Sequence, residues 1–145
     1  MEEAIVPKLA FEVLKDAERV YKETGTFSQE LLENLHSLFG ESFVLATELL
    51  EKRKIIEYEV DNGLRRIFKV IMGKEQYTVY ENINFCHCKT FHLQVLEARN
   101  ILTCKHILAV KLCQIMGRQT NEKVTNSQLV DFLNEQFSHL EENLD

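Results

Sequence analysis

Four side chains that bind soft metal ions lie in two close pairs: Cys86-x-Cys88, a spacer of fifteen residues, then Cys104-x-His106. A structural zinc site needs four soft or borderline ligands at the corners of a tetrahedron. Two sulfurs bound at about 2.3 Å sit about 3.7 Å apart. Residues i and i+2 of an extended segment point to the same side. Cys86 and Cys88 at a strand end can therefore face one metal, and Cys104 and His106 can do so where a loop enters a helix. The positive end of that helix would stabilise the Cys104 thiolate. One structural zinc ion (Zn2+) per chain is expected, held by Cys86, Cys88, Cys104 and His106. A disulfide between Cys86 and Cys88 would close a strained ring. A nucleophilic Cys104 with His106 as base would leave the other cysteine pair without a use. Four protein ligands leave no open position for a metal-bound water, which argues against a catalytic zinc.

Other chemistry-bearing residues read more plainly. His87 falls between two ligands and is expected on the surface, pointing away from the metal. His92 falls in the spacer and reads as a packing residue rather than a fifth ligand. Cys113, among Leu108, Val110 and Leu112, reads as a small core hydrophobe. Residues 61–118 carry nine Lys or Arg against four Asp or Glu, inside a chain of net charge −6. Such asymmetry marks either a polyanion-facing centre or a solvated surface. Arg65, Arg66, Lys69 and Lys89 are the candidate DNA contacts, with Lys74, Lys105 and Lys111 as further members of a basic face. The acidic total argues against a general nucleic-acid binder.

Three stretches must position these residues. Residues 1–54 read as a helical region. Ile5, Leu9, Val13 and Ala17 recur at spacing four, and Val6, Ala10 and Leu14 beside them make the first helix apolar over a wide arc. Gly25 ends it, and Thr26 with Gln29 reads as a capping box. Leu31, Leu32, Leu35, Leu38 and Phe39 line a second helix before Gly40, and Phe43, Leu45, Ala46, Leu49 and Leu50 a third. Residues 55–118 read as an antiparallel three-stranded meander followed by the metal module. Asp61-Asn62-Gly63 and Gly73-Lys74 are its turns, and the middle strand is apolar on much of both faces. Phe91, Leu93, Val95 and Leu96 suggest a short helix between the ligand pairs. Thr103 is placed to cap a helix from Cys104 to Met116, with Gly117 at its C′ position. Residues 119–145 read as a polar linker, a capping box at Thr125 and Gln128, an amphipathic helix with Leu129, Leu133, Phe137 and Leu140, and an acidic tail. The fold class is α+β: N-terminal helices, a small antiparallel sheet, a ββα zinc module and a C-terminal helix.

Hydrophobic residues make up 45% of 145, enough for one core of ordinary size. No apolar run approaches the roughly 20 residues of a membrane span, and the first residues lack the pattern of a signal peptide. An intracellular, reducing location is expected.

The C-x-C, fifteen-residue, C-x-H pattern resembles the SWIM-type zinc finger. Ala109 follows His106 by three residues, matching the extended C-x-H-x-x-A signature of the SWIM proteins of the Shu complex. The Leu38-Phe39-Gly40 turn and the run from Lys105 to Val110 are similar as well. SWIM modules elsewhere are appended to larger catalytic regions, and none is expected to accompany this one. The resemblance implies a nuclear, non-enzymatic adaptor in homologous recombination. It would heterodimerise with a RecA-like recombinase paralogue and promote recombinase filaments on single-stranded DNA. The alternative is a stand-alone zinc-dependent nucleic-acid-binding module, with a thiol hydrolase or ligase fragment as the enzymatic contrast.

Overall fold

Helix α1 spans Glu2–Thr24, and its buried line is Ala10, Leu14 and Ala17. The stripe expected from sequence is thus rotated, and Leu9 is 50% exposed. Steps of four alone drift around a helix of 3.6 residues per turn, whereas four-then-three stays on one face. The side chains of Ile5 and Val6 lie outside the described residues. The computed structural model describes residues 2–52, 54–60 and 65–123, and beyond them 125, 127–128, 130–131 and 133–134.

Gly25, at φ +75°, turns the chain out of α1. Phe27 then packs on Tyr21, with ring centroids 5.1 Å apart. Helix α2 (Gln29–Phe39) starts beyond this contact, so its cap is Ser28 rather than Thr26. The Leu31 N–H donates to Ser28 Oγ at 3.2 Å. Gly40 leads into α3 (Glu41–Lys52).

Strands β1 (Lys54–Val60), β2 (Arg65–Met72) and β3 (Glu75–Tyr80) form the expected antiparallel meander. The Asp61-Asn62-Gly63 turn lies outside the described residues; Gly73, at φ +64°, makes the second turn. Ile67, Phe68, Lys69 and Val70 are all buried, so β2 is covered on both faces. The sheet has a further member. Thr120–Lys123, expected as linker, forms β4 and pairs parallel with β1, from Ile56↔Thr120 to Glu59↔Lys123. The order is β3-β2-β1-β4, and the sheet is mixed rather than wholly antiparallel. Pairing uses main-chain groups, so the open edge of β1 can recruit a polar segment with no strand-like side chains.

Helix α4 (Lys105–Met116) closes the core. It packs on α3 and α1 on one side and on β2 and β3 on the other. This explains why Ile107, Leu108, Ala109, Val110, Leu112 and Cys113 are buried almost all round it. Gly117, left-handed at φ 65°, ends the helix as expected, its N–H donating to the Cys113 and Gln114 carbonyls. One hydrophobic cluster joins α1, α2, α3, the sheet and α4. The Thr125–Gln128 capping box is formed, with Gln128 N–H donating to Thr125 Oγ1 at 3.2 Å and Thr125 N–H to Gln128 Oε1 at 2.9 Å. Leu129, Phe137 and Leu140 lie outside the described residues. No helix among the described residues is long and apolar enough to cross a membrane.

Candidate metal centre

Past β3 the chain turns at Asn82 (φ 60°) and runs through Cys86 and Cys88. The spacer helix, Phe91–Glu97, is π-helical, with Ala98 N–H donating to the Leu93 carbonyl five residues back. Its wide turn buries Phe91 and leaves Leu93 and Leu96 exposed. The chain returns at Cys104, which is itself the N-cap of α4, and His106 follows in the first turn.

These elements bring Cys86, Cys88, Cys104 and His106 together in the core, all four buried and their ligand atoms within 4.8 Å of one another. His106 Nδ1 lies 3.7 Å from Cys86 Sγ and 3.8 Å from Cys104 Sγ. Sulfur and imidazole donors of a tetrahedral ion with zinc-like bond lengths would sit about 3.6 Å apart. The donor set therefore fits a metal with all four positions filled by protein. Such a centre can cross-link chain segments, and it leaves no ligand position for substrate.

The three thiols hydrogen-bond one another. Hydrogen bonds from Cys104 and Cys86 hold Cys88 well below the ordinary thiol range, helped by the Phe91 N–H at 3.4 Å. Cys86 is raised by its bonding with Cys104 and Cys88, and burial pushes Cys104 up to about 12. Three thiolates this close cannot all ionise in a buried site without a metal.

Two features of the centre carry no local sequence signal. Thr103 does not cap α4. Its Oγ1 donates to Asn84 Oδ1 at 2.7 Å, and its carbonyl accepts from Ser42 Oγ at 3.0 Å. Asn84 Nδ2 also donates to the Leu102 carbonyl at 3.1 Å. The segment entering Cys86 is thereby tied to the loop entering Cys104, and that loop to α3. The second feature is Tyr77 of β3, stacked on His106 with centroids 4.0 Å apart and on His87 at 5.0 Å. His87 is therefore not the surface residue expected: it is 8% exposed, because the knuckle lays the residue between the two ligands over β3. Burial, then the Glu75 carboxylate, push the Tyr77 phenol up to about 12. His92 is half-buried, its Nε2 3.3 Å from Glu97 Oε1, and it stands outside the ligand cluster. Ala109, one turn after His106, is fully buried.

The basic residues do not share one surface. Arg66 bridges two carboxylates, 3.6 Å from Glu57 and 3.2 Å from Glu81. Gln114 Nε2 also donates to Glu81, at 2.8 Å. Lys69, on the opposite face of β2, is buried and donates to Gln76 Oε1 at 3.2 Å. Arg65, Lys74 and Lys89 are exposed, and Lys105 and Lys111 are half-buried.

The chain is 33% identical over 129 residues to zinc finger SWIM domain-containing protein 7 of Danio rerio, covering 88% of this chain and 91% of the relative. The human protein of that name is 30% identical over 130 residues, covering 89% and 92%. A Dictyostelium discoideum homologue is 29% identical over 97 residues, covering 66% and 62%. No family model matches the chain. No solved structure matches it.

Proposed function

The chain belongs to the zinc finger SWIM domain-containing protein 7 family, and from that footing we propose that it is a non-enzymatic, zinc-stapled adaptor of homologous recombination. The observation that carries this reading is the buried cluster of Cys86, Cys88, Cys104 and His106. Three sulfurs and one imidazole suit zinc, and a shell closed by protein suits a structural ion. Zinc then joins the end of the β-meander to the start of α4, the helix that α1 and α3 also pack against. The metal acts by shaping surfaces made of other residues. The resemblance to the SWIM proteins of the Shu complex supports the rest: a nuclear protein that heterodimerises with a RecA-like recombinase paralogue and supports the recombinase filament on single-stranded DNA.

The engagement of Arg66 by Glu57 and Glu81, and of Lys69 by Gln76, speaks against the stand-alone nucleic-acid-binding module. Two measurements test the reading. Purified protein should hold about one zinc per chain. Co-expressed recombinase paralogue should be retained by the wild-type chain and lost with Cys104→Ser, although Cys104 is buried and cannot touch it. Tight, salt-resistant binding of single strands by the lone chain would favour the nucleic-acid module instead.

A further inference from the structure

A histidine that binds metal through one ring nitrogen ordinarily donates the other N–H to a carboxylate, carbonyl or water, and that bond fixes the ring. His106 presents Nδ1 to the thiols, at 3.7 and 3.8 Å. Its Nε2 is buried and meets no hydrogen-bond partner among the described residues. Its ring instead stacks on that of Tyr77, at a centroid distance of 4.0 Å and an interplanar angle of 25°.

Tyr77 is in turn held from several sides. It is opposite Val70 in the β2–β3 ladder. Its hydroxyl donates to Glu75 Oε2 at 3.3 Å, and its ring also stacks on His87 at 5.0 Å and 24°. His87 lies between the two cysteines of the first ligand pair. One tyrosine ring therefore touches both halves of the metal centre, the knuckle through His87 and the helix through His106.

We propose that Tyr77 is the positioning residue of the metal centre. Its ring sets the plane of the His106 imidazole, the task a hydrogen bond on the far nitrogen performs elsewhere. The electron-rich face of the phenol also favours an imidazole made more positive by the ion it binds. The proposal rests on the zinc reading above.

The test uses the full chain loaded with zinc, or with cobalt(II) as a spectroscopic probe. Tyr77→Leu removes the aromatic face and keeps an apolar side chain; Tyr77→Phe keeps the ring and drops the bond to Glu75. Tyr77→Leu is expected to pass zinc to a chromogenic chelator about tenfold faster than wild type, in line with the loss of an outer-shell partner. It should also shift the d–d band of the cobalt form. Tyr77→Phe should match wild type in both. In a His106→Cys background, where no imidazole remains, Tyr77→Leu should bring no further acceleration. Equal release from Tyr77→Leu and wild type would overturn the proposal. So would the same acceleration in the His106→Cys background, or a Tyr77→Phe as leaky as Tyr77→Leu. If Tyr77→Leu does not fold, proton NMR of the wild type decides: the His106 ring protons must show the upfield shift of a stacked aromatic, and their absence from the shifted region refutes it. A wild-type chain that takes up neither zinc nor cobalt defeats the zinc reading itself, whereas normal uptake with indifferent variants defeats only the role of Tyr77.

Discussion

Cys104 holds two positions at once, candidate metal donor and N-cap of α4, and its side chain makes no capping hydrogen bond. In the metal-free chain burial pushes its thiol up, hydrogen bonding with Cys104 and Cys88 pushes that of Cys86 up, and hydrogen bonding pulls that of Cys88 down. Zinc takes thiolates, so binding is expected to expel protons mainly from Cys86 and Cys104. We therefore expect about two protons released per zinc at neutral pH, where unperturbed thiols would release about three. Both raised thiols are deprotonated only with the metal present, so affinity climbs with pH across the neutral and alkaline range. Calorimetry in buffers of different ionisation enthalpy counts the protons, and a count near three would mean that Cys88 is not preionised. The cluster of Cys86, Cys88, Cys104 and His106 was legible in sequence because the i, i+2 pairs are local. Tyr77 and His87 were not. Tyr77 looks like any strand aromatic, and only the return of α4 sets His106 against it.

Between elements, the bond from Ser42 to the Thr103 carbonyl joins residues 61 apart. It ties α3 to the loop that presents Cys104. Ser42→Ala should cost about 1–3 kcal/mol, since it leaves a buried carbonyl without its donor. Chemical denaturation of the zinc-bound protein measures it, and no loss would mean that the loop is fixed by the metal alone. The pairing of β4 with β1 can be probed with proline. In a parallel edge strand, alternate N–H groups face the neighbour. Of Asn121→Pro and Glu122→Pro, one should therefore lower stability by about 1–3 kcal/mol and the other should be tolerated. Equal effects would contradict the ladder. The helices and the meander could be read from apolar periodicity and glycine turns. The fourth strand could not, because Thr-Asn-Glu-Lys has no strand composition and takes its conformation from the edge it meets. The α2 cap was misplaced for a similar reason: Thr26 has the better local signature, but the Phe27–Tyr21 contact delays the helix.

Across the molecule, Cys86, Cys88 and Cys104 belong to the same buried cluster as Leu14, Leu35, Phe39 and Phe68. Among the described residues, the N-terminal helices have no core separate from the candidate metal centre. Removing zinc should therefore disorder more than the ligand loops. A strong chelator is expected to lower the helical circular dichroism by more than α4 and the spacer can account for, in one transition with the loss of metal. A loss confined to those two elements would mean that α1 to α3 stand alone. The charge asymmetry has a molecular resolution too, since part of the basic centre is spent on internal pairs: Arg66 with Glu57 and Glu81, Lys69 with Gln76. The parallel β4 has one more consequence, and it concerns synthesis. A ribosome makes β1 first, yet its outer partner is complete only at Lys123, after the meander, the ligand pairs and α4. At about 5–20 residues per second, that edge stays bare for several seconds on every newborn chain. The ligands have all been made before then, so zinc can lock the sheet to α4 while the edge is still open. A cell short of zinc would expose that bare edge on a loose intermediate, and its surplus chains would be lost to aggregation rather than accumulate as soluble apoprotein.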